Sequence, residues 1–291
     1  MRNIITILLF AISFNVLGYN PVPDKIVVYK KIDGIELKLH FFFPENHLMD
    51  DSKPAIVFYH GGGWNGGAPS HFYNQSEYSA SRGMVAVSVQ YRTKKANDTS
   101  PIECLKDAKS AMRWVRSHAS DLGINPNNIV ASGGSAGGHL AAALATVEGF
   151  NEEGEDVSVS CIPQALVLFN PVANNSEEGY GYNRVKDYWE EFSPYHNIKK
   201  GTAPTLIMLG TKDKLFKVDQ AEQYKLKMEQ NSSRCDLILY QDQDHAFFNI
   251  GQNREMHFKT MYDADMFLIS LGILDGNPNV EEFKKTIEKK K

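Results

Sequence analysis

Val130-Ala131-Ser132-Gly133-Gly134-Ser135-Ala136-Gly137-Gly138-His139 is the stretch on which the reading of the fold turns. The β-branched pair Ile129-Val130 enters it and an alanine-rich run, 140–146, leaves it, so a buried strand passes directly into a helix. Between them Gly133-Gly134-Ser135-Ala136-Gly137 fits the G-x-S-x-G pattern. That spacing suits a tight turn which holds the serine in strained backbone and exposes its hydroxyl at the tip. Glycines two residues to either side let strand and helix approach without a Cβ clash. The helix N-terminus behind the serine puts the positive end of its dipole where negative charge would develop.

Outward from this turn, apolar runs at 55–59, 84–89, 165–169, 205–209 and 236–240 read as strands. Segments 73–82, 101–119 and 256–270 read as helices, with Pro101 opening the second. Asp33-Gly34 between 25–31 and 35–43 marks a hairpin, and Asn125-Pro126-Asn127-Asn128 a turn before the nucleophile strand. The alternation predicts an α/β class, a mainly parallel central sheet with helices on both faces. Segment 172–198 interrupts it with Tyr180, Tyr182, Tyr188, Trp189, Phe192 and Tyr195. It is either a surface excursion that buries its own aromatics or a cap over the site.

A serine hydroxyl needs a base within hydrogen-bond reach, itself oriented by a third group. Of the nine histidines, His245 is best placed, on a loop after the last strand and so at the sheet edge where sites form. Asp213, directly off the strand at 205–209, is the preferred orienting acid. Asp219 is the weaker candidate, and Asp244 is too close to His245 in sequence to face its ring. His60-Gly61-Gly62-Gly63 supplies unobstructed amides at the end of another strand. Three glycines can equally be a flexible turn, but with the Ala136 amide they suit a tetrahedral oxyanion.

With these residues in view, the chain resembles the HGGG(W) branch of the α/β-hydrolases. That branch includes hormone-sensitive-lipase-like esterases and secreted acetylxylan- and feruloyl-esterase-like enzymes. The likeness rests on His60-Gly61-Gly62-Gly63-Trp64 with Gly133 to Gly138 and extends through Tyr91-Arg92, Asp107, Ala111, Trp114-Val115, Gly210, Asp213 and His245-Ala246-Phe247. It spans roughly 54–271 and implies a sheet of about eight strands, no metal or organic cofactor, and ester hydrolysis through an acyl-enzyme. On this sequence it implies Ser135 as nucleophile, His245 as base and then acid, Asp213 as orienter, and Gly62, Gly63 and Ala136 as the oxyanion hole. Ala246 stands where the family often has glycine.

At 291 residues, 42% hydrophobic, the chain suffices for one large α/β domain or two small ones, and a net charge of −4 gives no reason to expect nucleic acid or an anionic membrane as partner. Arg2, the apolar run 4–17 and Gly18 read as a cleavable signal peptide, 1–18, too short to serve comfortably as a retained anchor, so a secreted or periplasmic protein without a membrane span is expected. The catalytic domain is placed at 19–272, with 172–198 as a cap-like insertion, and 273–291 as a C-terminal extension ending in a solvated, frayed helix. Cys104, Cys161 and Cys235 form neither a disulfide framework nor a zinc pattern; three buried thiols is the blander reading, and one disulfide plus a free thiol stays open.

Substrate choice is less legible. Trp64, Tyr188 and Trp189 are candidates to stack on a sugar ring or an aromatic acyl group, or they only pack. The resemblance favours an acetyl or hydroxycinnamoyl ester on polysaccharide or oligosaccharide, with a general short-chain carboxylesterase or lipase as alternative. A serine peptidase of this kind would usually carry a propeller domain, for which the length leaves no room. A silent binding protein would usually lack a triad member, and a lyase or dehalogenase would carry aspartate in place of Ser135.

Overall fold

Eight strands in the order β1-β2-β4-β3-β5-β6-β7-β8 form one sheet in the computed structural model, which describes residues 19–290. The signal-peptide expectation for 1–18 lies outside the described residues. The strands are β1 (Lys25–Ile32), β2 (Ile35–Phe42), β3 (Lys53–Tyr59), β4 (Val85–Val89), β5 (Ile124–Gly134), β6 (Ala165–Phe169), β7 (Thr205–Gly210) and β8 (Cys235–Tyr240). The β1–β2 hairpin and the β2–β4 pair are antiparallel; every later pair is parallel. The helices are α1 (Tyr73–Ser81), α2 (Lys94–Asn97), α3 (Pro101–Ser117), α4 (Ala136–Thr146), α5 (Tyr182–Val185), α6 (Trp189–Phe192), α7 (Val218–Gln230), α8 (Arg254–Ser270) and α9 (Val280–Lys289). None of the described helices is long and apolar enough to cross a membrane.

The central strands are short and continuously apolar because helices cover both faces. All of β4, β6 and β7 are buried, whereas edge strand β8 is half-exposed along its middle. β5 departs from the sequence reading. Its pairing with β3 jumps from Lys53↔Ile124 to Ala55↔Ile129, so the expected turn at 125–128 is a bulge inside the strand. Helix α3 is fixed at its start by a capping box, Ser100 with Glu103, and Pro101 in the first turn. It buries Cys104, Leu105, Ala108, Ala111, Met112 and Val115 against the sheet. All three cysteines are buried and unpaired.

Arg92 and Asp107 carry part of the family likeness, and their contacts are architectural. The buried Arg92 guanidinium meets the fully buried Asp107 carboxylate through two bonds of 2.8 Å, and its Nη2 reaches Glu152 at 2.9 Å. Lys30 of β1 joins the same carboxylates at 2.8 and 2.7 Å, so the cluster ties the hairpin, the β4 exit, α3 and the loop after α4. Buried charges persist only when mutually paired in this way.

The C-terminal extension corrects the sequence reading. Helix α9 is not frayed: it buries Val280, Phe283 and Ile287 against Tyr78, Phe258 and Met261. Three apolar residues recurring on one helical face, flanked by lysines and glutamates, make a surface helix that must dock to bury its stripe.

Candidate active site

Ser135 sits between the last residue of β5 and the first of α4 at φ 55°, ψ −121°, a conformation costing about 1–3 kcal/mol for a residue with a Cβ. Surrounding contacts hold it there. Its amide donates to the Phe169 carbonyl at 3.0 Å, and its carbonyl accepts from His139 and Val172 at 3.0 and 3.3 Å. A Cβ on Gly133 would lie 2.5 Å from the Gly137 carbonyl, and one on Gly137 only 2.0 Å from the Tyr59 carbonyl oxygen. The glycines are therefore demanded by backbone on both sides, as the spacing predicts.

His245 and Asp213 arrive from neighbouring loops that are stitched together. The Lys212 amide donates to Gln243 at 2.9 Å, the Thr211 amide to Tyr240 at 3.0 Å, and the Asp242 amide to the Thr211 hydroxyl at 2.8 Å. Gly210 lets the second loop cross the first, since a Cβ there would lie 2.3 Å from the Gln243 carbonyl. The result is a continuous relay: His245 Nδ1 lies 2.7 Å from Asp213 Oδ2 and Nε2 lies 2.8 Å from Ser135 Oγ. The carboxylate accepts the Nδ1–H, which leaves Nε2 as acceptor for the serine proton. The alternative acids, Asp219 and Asp244, are both exposed, and the carboxylate bonded to the ring is that of Asp213.

Asp213 is 6% exposed. Burial pushes its pKa upward, but the His245 hydrogen bond and charge, the Asn170 amide and the Leu215 amide outweigh that and hold it below the usual range. Asn170 was missed by sequence reasoning. Its Nδ2 donates to Asp213 Oδ2 at 2.7 Å, it is fully buried, and its backbone is left-handed at φ 45°. The available signal was an Asn-Pro pair ending an apolar strand at the site's edge of the sheet.

Gly62 and Gly63, at φ 121° and 64°, lie on the loop after β3, beside the elbow: a Cβ on Gly61 would be 3.4 Å from Ser135 Cβ. Among the described residues the Gly62 and Gly63 amides find no protein acceptor. With the Ala136 amide at the start of α4, they are donors free to receive an anion. His60 is not part of the relay. Its buried ring stacks on Tyr91 at 4.0 Å, its Nδ1 bonds the Gly61 carbonyl at 2.9 Å, and burial depresses its pKa to about 4.

The aromatic candidates fare differently. Trp64 is 1% exposed, packed edge-on to His139 and Phe192 and under the Arg184 guanidinium, so it has no free face for a substrate, contrary to the stacking expectation. Tyr188 packs on Phe150 and Phe192, and Trp189 on Tyr182 and His196. Ser135 stays partly exposed, and the His245 side chain is 22% exposed.

This geometry has counterparts in known proteins. Esterase 2 of Thermogutta terrifontis, in its apo form, is 40% identical with a TM-score of 0.84, the match covering 90% of this chain and 100% of that one. Structures of the same esterase bound to propionate or butyrate, or phosphorylated by paraoxon, match at a TM-score of 0.83 and 39–40% identity, covering 87% of this chain and 96% of theirs. Carboxylesterase NlhH of Mycobacterium tuberculosis is 33% identical over 125 residues, 43% of this chain and 37% of that protein. Acetylxylan esterase of Xylanibacter ruminicola is 27% identical over 250 residues, 79% of this chain and 47% of that protein. The chain thus spans less than half the length of these two curated relatives. The model of the alpha/beta hydrolase fold family matches residues 56–249. With two-thirds of its length matched and the sheet order, elbow and relay in place, this chain belongs to the alpha/beta hydrolase fold family.

Proposed function

We propose that this protein is a serine carboxylic ester hydrolase working through an acyl-enzyme, with Ser135 as nucleophile, His245 as base and then acid, and Asp213 as orienter. The observation that carries it is the unbroken Ser135–His245–Asp213 relay at 2.8 and 2.7 Å. As Oγ attacks the ester carbonyl carbon, its proton passes to Nε2 and the carbonyl oxygen becomes an oxyanion facing the Gly62, Gly63 and Ala136 amides. Collapse breaks the ester C–O bond, and the imidazolium gives its proton to the leaving alkoxide. A water, deprotonated by His245, then attacks the acyl-enzyme and regenerates Ser135 while the carboxylic acid departs. Ser135→Ala should lower kcat on p-nitrophenyl acetate by about 10⁴-fold or more with the fold retained; near-full activity would refute the assignment.

The finer reading is an exported carbohydrate esterase that removes acetyl or hydroxycinnamoyl groups. It draws on the Xylanibacter relative, similar over most of this chain, and on the signal-like 1–18. The propionate- and butyrate-bound esterase 2 structures favour a general short-chain carboxylesterase equally. Acetylated xylan, acetylated pectin, methyl ferulate and short p-nitrophenyl esters, compared by kcat/KM, separate the two. Activity confined to the small esters would discard the carbohydrate reading.

A further inference from the structure

We infer that Arg184 is a positioning residue for the oxyanion loop, and that the inserted segment serves the reaction by bracing this loop from the side. The inference rests on the serine-hydrolase reading. A run of three glycines has no side chains with which to fix its own peptide planes, so the orientation of its amides is set by what its carbonyls meet. The Gly61 carbonyl meets His60 Nδ1, the Gly62 carbonyl meets the Asn65 and Gly66 amides, and the Trp64 carbonyl accepts from the Lys94 amide. The Gly63 carbonyl accepts from Arg184 Nη1, a partner brought in from the insertion.

The guanidinium is held for this task. It lies 4.9 Å from the Trp64 ring centroid and 5.2 Å from that of Tyr180. Contact between the two segments is tight in both directions. A Cβ on Gly63 would lie 2.6 Å from the Tyr180 hydroxyl, and one on Gly181 2.8 Å from the Trp64 ring. A planar fork stacked on aromatics loses little freedom when it makes its hydrogen bond, which a lysine cannot reproduce.

The test compares wild type, Arg184→Ala and Arg184→Lys on p-nitrophenyl butyrate, with inhibition by a trifluoromethyl ketone that mimics the tetrahedral oxyanion. Arg184→Ala should lower kcat by about tenfold to a hundredfold while KM stays within about twofold, because donors displaced by a fraction of an ångström act on the transition state. The ketone Ki should rise by the same factor as kcat/KM falls, Arg184→Lys should recover part of the loss, and exchange of the Asn65 and Gly66 amides, which donate to the Gly62 carbonyl, should accelerate. Unchanged kcat, a rise in KM alone, or a fall in kcat with unchanged ketone affinity would each overturn the inference. If Arg184→Ala does not fold, Arg184→Lys is judged by the same criteria. Failure of the hydrolase reading shows separately, as wild type no more active than Ser135→Ala; exchange of the Asn65 and Gly66 amides then still decides whether Arg184 braces the loop.

Discussion

Gly137→Ala is the sharpest test of the elbow, because the new methyl has nowhere to go. Its Cβ would lie 2.0 Å from the Tyr59 carbonyl oxygen and 2.5 Å from that of His60, where ordinary contact begins at 3.4 Å. Both obstacles are backbone at the end of β3, which is itself paired with β4 and β5. No rotamer change relieves the clash, so α4 and β3 must separate by about an ångström. Overpacking a core side chain costs about 1–3 kcal/mol, and with backbone on the receiving side the upper end, about 3 kcal/mol, is expected. For a domain of this size that is a fall in Tm of roughly 6–12 °C. The same movement shifts His60 and the glycines after it, and a displacement near an ångström lowers kcat by about a hundredfold. Calorimetry and p-nitrophenyl acetate hydrolysis read the two effects. Gly251→Ala is the matched control: its Cβ meets nothing within 4 Å and its φ is not positive, so it should be neutral or stabilise by about 0.4–1 kcal/mol. A Gly137→Ala protein melting within a degree or two of wild type would show that strand and helix are not in the close contact described.

Two further outcomes are expected. Asn170→Gly removes the donor to Asp213 while relieving a left-handed backbone at φ 45°; kcat should fall about tenfold, the worth of one charge-assisted hydrogen bond, with little change in Tm, and unchanged kcat would remove Asn170 from the site. Burial lowers the pKa of His60, His139 and His257 from 6.5 to about 4, 3 and 4. Because the folded values lie below the unfolded one, the unfolded chain takes up protons first on acidification. Stability from these residues is complete above pH 6.5 and is lost as pH falls toward the folded values, so Tm should decline from pH 6.5 to 5, before most carboxylates titrate; a flat Tm over that window would contradict the buried neutral rings.

The relay was legible because each of its parts has a local signature. Ser135 is bracketed by glycines at fixed offsets, and Asp213 and His245 each follow a β-branched or leucine-rich run at the sheet edge where loops gather. What escaped was decided by neighbours distant in sequence. Trp64 beside a glycine loop reads equally as a stacking platform or as packing, and only the arrival of His139, Phe192 and Arg184 decides for packing. The stripe of Val280, Phe283 and Ile287 is diluted by charged residues, and its receiving surface is assembled from α1 and α8, so docking could not be told from fraying. Asn170 carries only the Asn-Pro pair that ends its strand, a signal that is ordinary until Asp213 folds over it.

The reciprocal fit of Gly63 against Tyr180 and of Gly181 against Trp64 sets a limit on rebuilding this protein by exchanging segments. A foreign insertion grafted at 172–198 would arrive without the partners its new surroundings require. Transplants that move residues 61–65 and 180–184 as one cassette should keep turnover, whereas exchanging either half alone would leave a mismatched seam beside the nucleophile.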